Sequence, residues 1–239
     1  MLKNKTSIVD DRGYNQGFRE TYALKKRMER RADWMINEMQ PSTDKKILEI
    51  GCGTGYVSYY IAQKTTMRVI GSDLCVPFIE GARKNYTLPN LSYDTLDFNK
   101  AAATVNNKFD YIIGNGILHH LYYHLDEALA TLKSLLNTDG KIIFMEPNIY
   151  NPYVATIFKN TTLRKWAKLE PDEMAFSKSF IKEKLQTADF KNITITYKDF
   201  LLPGVPQLLV TPSIVIGNVL EKTPLKYISQ SILISAGKE

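Results

Sequence analysis

Lys46-Ile47-Leu48-Glu49-Ile50-Gly51-Cys52-Gly53-Thr54-Gly55-Tyr56 is the stretch on which the reading of this chain turns. Ile47 to Ile50 form a short apolar run of the kind a buried strand needs. Three glycines follow at alternate positions, and a helical pattern resumes at Tyr56 and continues to Lys64, with Val57, Tyr60 and Ile61 as its apolar positions. A strand that breaks into alternating glycines and re-forms as a helix must turn tightly, and positions without a side chain leave room for a ligand against the backbone. The amides that open the helix then face that ligand with the positive end of the helix dipole.

The glycine spacing is G-x-G-x-G, not the G-x-G-x-x-G of dinucleotide folds. With Glu49 two residues ahead of Gly51, the pattern E-x-G-x-G-x-G resembles the first motif of the class I S-adenosylmethionine (SAM)-dependent methyltransferases. The resemblance implies that Glu49, Gly51, Cys52, Gly53 and Gly55 form the cofactor loop. SAM has no pyrophosphate, so such a loop needs no anion cradle, only a flat surface for the ribose and methionyl parts. Met67 to Gly71 reads as the next strand and ends in Ser72-Asp73-Leu74. An acid at the tip of the second strand, about 20 residues past the glycines, is the position that binds a ribose. Asp73 is therefore expected to accept the ribose hydroxyls, with Leu74 beside it; capping the helical segment Pro77–Asn85 is its alternative role. Leu91 to Tyr93 is a weak third strand. By the same resemblance Asp97 accepts the adenine amino group and Phe98 lies on the ring, although Asp94 is close enough to compete.

Phe109 to Ile113 reads as the fourth strand and runs into Gly114-Asn115-Gly116-Ile117-Leu118-His119-His120-Leu121. This stretch is similar to the fourth-strand motif of the small-molecule methyltransferase group. The resemblance implies that Gly114 and Asn115 offer backbone groups to the methionyl ammonium and that the histidines lie beside the sulfonium methyl. His120 is the preferred general base or substrate-orienting group, since imidazole takes a proton near neutral pH; His119 is the second catalytic candidate, with a structural role as its alternative. Adjacent positions do not share a helix face, so no metal site is expected.

Composition bounds the rest. The chain has 239 residues, 44% hydrophobic and 23% charged, which suits a globular α/β domain. A net charge of +6 permits an anionic partner without requiring one. Cys52 and Cys75 are the two cysteines, too few for a disulfide framework or metal cluster. The N-terminus MLKNKTSIVDDRGYNQ has no apolar core and no apolar run reaches about 18 residues, so a cytoplasmic chain is expected. Gln16 to Met39 is amphipathic, so residues 1–40 are expected to be a helical cap and residues 41–239 the methyltransferase domain; by resemblance Tyr14 and Arg19 cover the SAM carboxylate.

Downstream, Asp126 to Leu136 is a helix stopped by Asn137-Thr138-Asp139-Gly140, and Lys141 to Met145 is strand five, ending in Glu146-Pro147-Asn148. The Asn151-Pro152-Tyr153 triplet follows strand five. Amino-methylating DNA enzymes carry a similar motif after strand four, so DNA is not the expected substrate. Val154 to Asp189 is helical with a break at Pro171, and Ile193–Tyr197 and Tyr227–Ser235 read as the last two strands. Between them, residues 200–224 are strongly apolar and interrupted by prolines. Burial against the domain is the default expectation; a substrate lid, a dimer contact or a membrane-surface segment are the others.

The resulting expectation is an α/β protein with a doubly wound, seven-stranded, mostly parallel Rossmann-like sheet and an N-terminal helical cap. SAM is the implied cofactor and S-adenosylhomocysteine the product. The implied activity is methyl transfer to an O, N or C nucleophile of a small-molecule, natural-product or lipid-linked saccharide acceptor. Peripheral membrane contact and a homodimer are compatible with the sequence. RNA is a less favoured acceptor, because no RNA-binding module is recognisable; a non-catalytic SAM-binding protein is the remaining alternative. A nicotinamide dehydrogenase fits poorly, since the glycine spacing differs and no Tyr-x-x-x-Lys pair stands at the expected place.

Overall fold

The apolar run ahead of the glycines forms β1 (Lys46–Ile50), which pairs in parallel with β2 (Arg68–Asp73) on one side and β4 (Phe109–Asn115) on the other. The computed structural model describes residues 21–97 and 108–239; Tyr14, Arg19 and Phe98 lie outside the described residues. With β3 (Leu91–Thr95), β5 (Leu136–Pro147), β6 (Lys191–Lys198) and β7 (Ser231–Gly237), the seven-stranded sheet has the order β3-β2-β1-β4-β5-β7-β6. β7 runs antiparallel to both of its neighbours. The strand order reverses between β1 and β4. The connections on either side of that point leave in opposite directions, which opens a crevice at the carboxyl ends of the strands.

Alternate residues of the central strands feed opposite faces. On one face Ile47, Ile113, Ile143 and Met145 pack with Met28, Ala32 and Met35 of α1 (Tyr22–Asn37) and with Val57 and Ile61 of α2 (Tyr56–Lys64). On the other, Leu48, Ile112, Ile142 and Phe144 pack with Leu125, Leu129 and Leu132 of α4 (Leu125–Leu135) and with Ile181 and Leu185 of α7 (Lys178–Thr187). α3 (Val76–Asn85) closes the outer end by placing Ile79 and Ala82 against Cys52 and Tyr93. The amphipathic N-terminal stretch thus shares the main core with the sheet.

α1 is also held by charge. Arg31 Nε and Arg27 Nε donate to Asp199 Oδ2 at 2.8 and 2.5 Å, while Arg31 Nη1 donates to Asn115 Oδ1 at 2.7 Å and Nη2 to Ser231 Oγ at 2.5 Å. Burial, then the neighbouring Arg27, lower the Arg31 guanidinium to about 10, so it stays charged at neutral pH. One helix is thereby tied to the ends of β4, β6 and β7.

Two boundaries differ from the local pattern. Asn137 to Gly140, expected to stop a helix ahead of a strand at Lys141, do follow a helix that ends at Leu135, but they already belong to β5, across a register shift opposite Phe109–Tyr111. Asn137 Nδ2 donates to Asp110 Oδ1 at 3.1 Å and Lys238 N to Gly140 O at 2.8 Å, so the sheet captures residues whose local preference is a turn. The last strand starts at Ser231, not Tyr227, because Pro224–Ile228 forms a 3₁₀ helix. Asn148 Nδ2 donates to the Tyr227 and Ser229 carbonyls at 2.9 and 2.8 Å and takes those groups away from a strand ladder.

The apolar segment between β6 and β7 contains α8 (Gln207–Leu220), and the expected burial is met by a narrow strip only. Val210 and Gly217 are buried, whereas Leu208, Leu209, Val215, Ile216 and Val219 are exposed.

Breaking a buried ion pair by removing one partner costs about 3–5 kcal/mol, because the other charge is left buried and unpaired. Asp199→Ala, which strands Arg27 and Arg31, is expected to lower unfolding free energy by that amount in urea titration. A change below about 1 kcal/mol would mean that α1 is held by its apolar face alone.

Candidate active site

Gly51, Gly53 and Gly55 all have positive φ, at 63°, 52° and 81°, which L side chains rarely adopt. Their surroundings divide the work. A Cβ on Gly51 would meet Ile117 at 2.6 Å and one on Gly55 would meet Ala82 and Tyr93 at 2.7 Å, whereas one on Gly53 would have nothing within 4 Å. The outer two glycines are therefore required by close packing, and the middle one leaves an open surface above the crevice.

Asp73, at the end of β2, accepts from Gly53 N at 2.8 Å through Oδ2 and from Cys75 N at 2.9 Å through Oδ1. It sits ahead of α3, whose N-cap is Cys75, so the alternative capping role is not the one it takes. The side chain is only partly buried, so it reaches the open edge of the sheet. Leu74 is exposed beside it. Leu96 N donates to Asp73 O at 3.1 Å, which holds the chain leading to Asp97 against the same edge. Glu49 lies beneath the loop, fully buried, and accepts from Ser58 Oγ of α2. Burial raises its carboxyl to about 8 against the Ser58 hydrogen bonds. Cys52 is buried, its amide donating to Ser72 O at 2.8 Å, and burial pushes its thiol up.

β4 brings in the second half. A Cβ on Gly114 would lie 2.5 Å from Phe144 and Ile117, so the strand end needs glycine for packing. The Asn115 side chain faces Arg31. Beyond it, Leu118–His124 is a kinked 3₁₀ helix, with non-helical φ/ψ at Leu121. The adjacent histidines were expected to diverge, but in this geometry the His119 and His120 rings are 4.2 Å apart.

Glu146, at the end of β5, organises this region. Its Oε1 accepts from Ile117 N and Leu118 N at 3.1 and 2.8 Å, and its Oε2 lies 2.7 Å from His119 Nδ1. His119 Nε2 lies 3.1 Å from Glu173 Oε1. Burial by itself would lower the His119 pKa; the bonds to Glu146 and Glu173 outweigh it and raise it to about 9. Burial would likewise raise Glu173, but His119 and His120 hold it below the usual carboxylate range. His119 is thus an imidazolium clamped between two carboxylates. His120 differs: its Nδ1 is buried without a hydrogen-bond partner, 3.5 Å from Glu170 Oε2 and 3.8 Å from Glu173 Oε2. His119, His120 and Glu173 place one potential metal-ligand atom each within 4.8 Å of one another. Both nitrogens of His119 are already engaged by carboxylates, whereas the His120 Nδ1 in the same group is not hydrogen-bonded.

The sequence placed Glu49, the glycines, Asp73, Asp97, Gly114, Asn115 and the histidines along one sheet edge, and the structure brings them there. It adds Arg31, Glu146, Glu170 and Glu173. Glu146 carried a signal, an acid directly after strand five. Glu170 and Glu173 flank the Pro171 break, and Arg31 was one cation among many on a basic helix.

A doubly wound sheet with its penultimate strand in space reversed, and a glycine loop at the switch point, defines the class I methyltransferase fold. The sequence profile of a methyltransferase domain matches residues 19–195, and the chain belongs to that family, whose cofactor is SAM. A SAM-dependent methyltransferase from Archaeoglobus fulgidus superposes with a TM-score of 0.64 at 18% identity, covering 90% of this chain and 94% of that one. The magnesium protoporphyrin IX methyltransferase of Synechocystis, solved with bound S-adenosylhomocysteine, superposes with a TM-score of 0.56 at 16% identity over 91% and 84%. The ribosomal RNA small subunit methyltransferase C of Klebsiella pneumoniae is 28% identical over 124 residues, 50% of this chain and 36% of that protein. The chain thus spans about a third of the length of that curated relative.

The clamp makes stability pH-dependent. An unperturbed histidine titrates at about 6.5. The folded value of His119 is higher, so its contribution is fully present below pH 6.5 and is lost as pH rises through about 9. Glu49, also raised, adds a fall of the same sign from its ordinary range up to about 8. The melting temperature is expected to drop between pH 6.5 and 9 in wild type, and less steeply in His119→Gln. About 2–4 °C corresponds to 1 kcal/mol in a chain of this size. Parallel profiles of the two proteins would assign the fall to other groups.

Proposed function

We propose that this chain transfers a methyl group from SAM to an O, N or C nucleophile of a small-molecule or amphiphilic acceptor held at the carboxyl edge of the sheet. The observation that carries this reading is the open face of Gly53, with the Asp73 carboxylate bonded to its amide, on the same edge as the unengaged His120 Nδ1.

The residues present suit the cofactor. Gly53 leaves a side-chain-free surface, and the Asp73 carboxylate stands beside it at the end of β2, where a ribose would lie. Leu74 and Asp97 border the place for the adenine. Gly114 and Asn115 offer backbone groups at the end of β4, while Glu49 braces the loop from below through Ser58. When bound, SAM supplies a methyl already activated on a sulfonium. The protein's main task is then alignment and exclusion of water, worth up to roughly 7–11 kcal/mol in favourable cases. His120 orients the acceptor or takes its proton on the imidazole ring, a contribution of about 10²–10⁴-fold. His119, held by Glu146 and Glu173 through both ring nitrogens, positions His120.

A second reading, an RNA acceptor, is supported by the ribosomal RNA methyltransferase relative and by the net charge of +6. The earlier expectation against RNA rested on the lack of a recognisable RNA-binding module, which this relative weakens.

Calorimetric titration with SAM and S-adenosylhomocysteine tests the cofactor site. Losing charged hydrogen bonds of about 1.5–3 kcal/mol is expected to weaken both ligands roughly 10–100-fold in Asp73→Ala. Unchanged affinity would remove Asp73 from the site. With an acceptor in hand, His120→Gln is expected to lower kcat at least tenfold at unchanged SAM affinity; full turnover would leave His120 without a catalytic role.

A further inference from the structure

α8 is inside out. Its fourteen residues contain no Asp, Glu, Lys or Arg, yet its most apolar stripe faces away from the domain. Leu208, Leu209, Pro212, Val215, Ile216 and Val219 recur at helical spacing and are all exposed, Leu208 to 91%. Burial goes instead to Val210 and to Gly217, where a Cβ would come within 3.0 Å of Phe200. A helix of this length extends about 21 Å, well short of the roughly 30 Å hydrocarbon core. No helix among the described residues is long and apolar enough to cross a membrane.

The apolar surface continues past the helix. Leu225, Tyr227 and Ile228 of the second 3₁₀ helix are exposed. α5 (Pro152–Lys159) starts beside them, because Asn151 Nδ2 donates to Ile228 O at 2.6 Å, and it brings the exposed Tyr150 and Tyr153. α6 (Thr161–Trp166), packed on α5, adds Trp166, 75% exposed. Charge on these segments has one sign. From Ile149 to Leu169 there is no acid, and from Phe200 to Ile228 the one acid, Glu221, is paired with Lys198 at 2.9 Å and is nearly buried. Lys159, Lys165, Lys222 and Lys226 are exposed.

Aliphatic side chains on a short uncharged helix, tyrosines and a tryptophan around them, and lysines without exposed acids together match what the interface of an anionic bilayer selects. A second copy of this chain would set these lysines against their own like. We propose that α8, the second 3₁₀ helix and α5 dock the protein on an anionic membrane surface. α8 leaves the carboxyl end of β6 and returns to the start of β7, so the docking face adjoins the edge that carries Asn115 and His120. The acceptor is then an amphiphile taken from that surface, a step that rests on the methyl-transfer reading above; the docking itself does not.

The full chain is sedimented with vesicles of phosphatidylcholine alone and of phosphatidylcholine with phosphatidylglycerol. Binding is expected to the anionic vesicles, to weaken roughly fivefold for each lysine changed among Lys222→Gln and Lys226→Gln, and to be lost in Leu208→Glu/Ile216→Glu. These positions are exposed, so circular dichroism and SAM titration should match wild type. Equal sedimentation of wild type and the double variant, or none by either, overturns the proposal. So does a wild-type dimer by light scattering that the double variant abolishes, since a second copy would then own this face. Vesicle binding without SAM binding would instead overturn the methyl-transfer reading and leave the docking face standing.

Discussion

The carboxylate of Glu146 is the constraint from which the acceptor side of the crevice is built. It is fully buried, and an ion in that position is stable only if its lone pairs are filled. Backbone amides of the first 3₁₀ helix and the His119 ring fill them. Charging His119 for Glu146 creates a demand at its other nitrogen, which Glu173 meets. Glu173 Oε2 accepts from Glu170 N at 2.9 Å, and Met174 N donates to His119 O at 3.0 Å. One satisfied charge thus orders β5's end, the 3₁₀ helix and the segment around Pro171.

That ordering separates two histidines adjacent in sequence. His119 has both nitrogens engaged and a raised pKa, so it is a fixed charge. His120, one residue on and stacked against it, keeps an unengaged Nδ1 beside two carboxylates. A rigid charge next to a group with a free nitrogen is an arrangement in which the first sets the field and orientation of the second.

The cofactor side works differently. There the backbone is the binding surface, and its shape is set by three positive-φ glycines of which two are locked by packing and one is open. Asp73 ties that loop to β2 through the Gly53 amide. Arg31, buried on α1, reaches the ends of β4, β6 and β7 at once, so the helix packed on one face of the sheet is bound to the strand ends at its edge.

Local patterns were enough to read the strand, glycine loop and helix from Lys46 to Lys64, the position of Asp73 and the strand leading to His119. In each case the relevant residues are neighbours whose periodicity or φ preference acts over a few positions. The same reasoning ended the preceding helix correctly but started β5 too late, since Asn137 to Gly140 are held in it by Asp110 and Lys238, and it misplaced the start of β7, where Asn148 diverts the chain. Thus the sequence by itself determined the sheet class, the glycine loop and the residues of its edge. Only the tertiary structure decided that His119 is clamped and His120 is not, that Arg31 and Asp199 bolt α1 down, and that α8 turns its apolar stripe outward. Those outcomes depend on partners 27 to 168 residues apart, which meet because the strand order brings their ends together, and no local periodicity encodes that meeting.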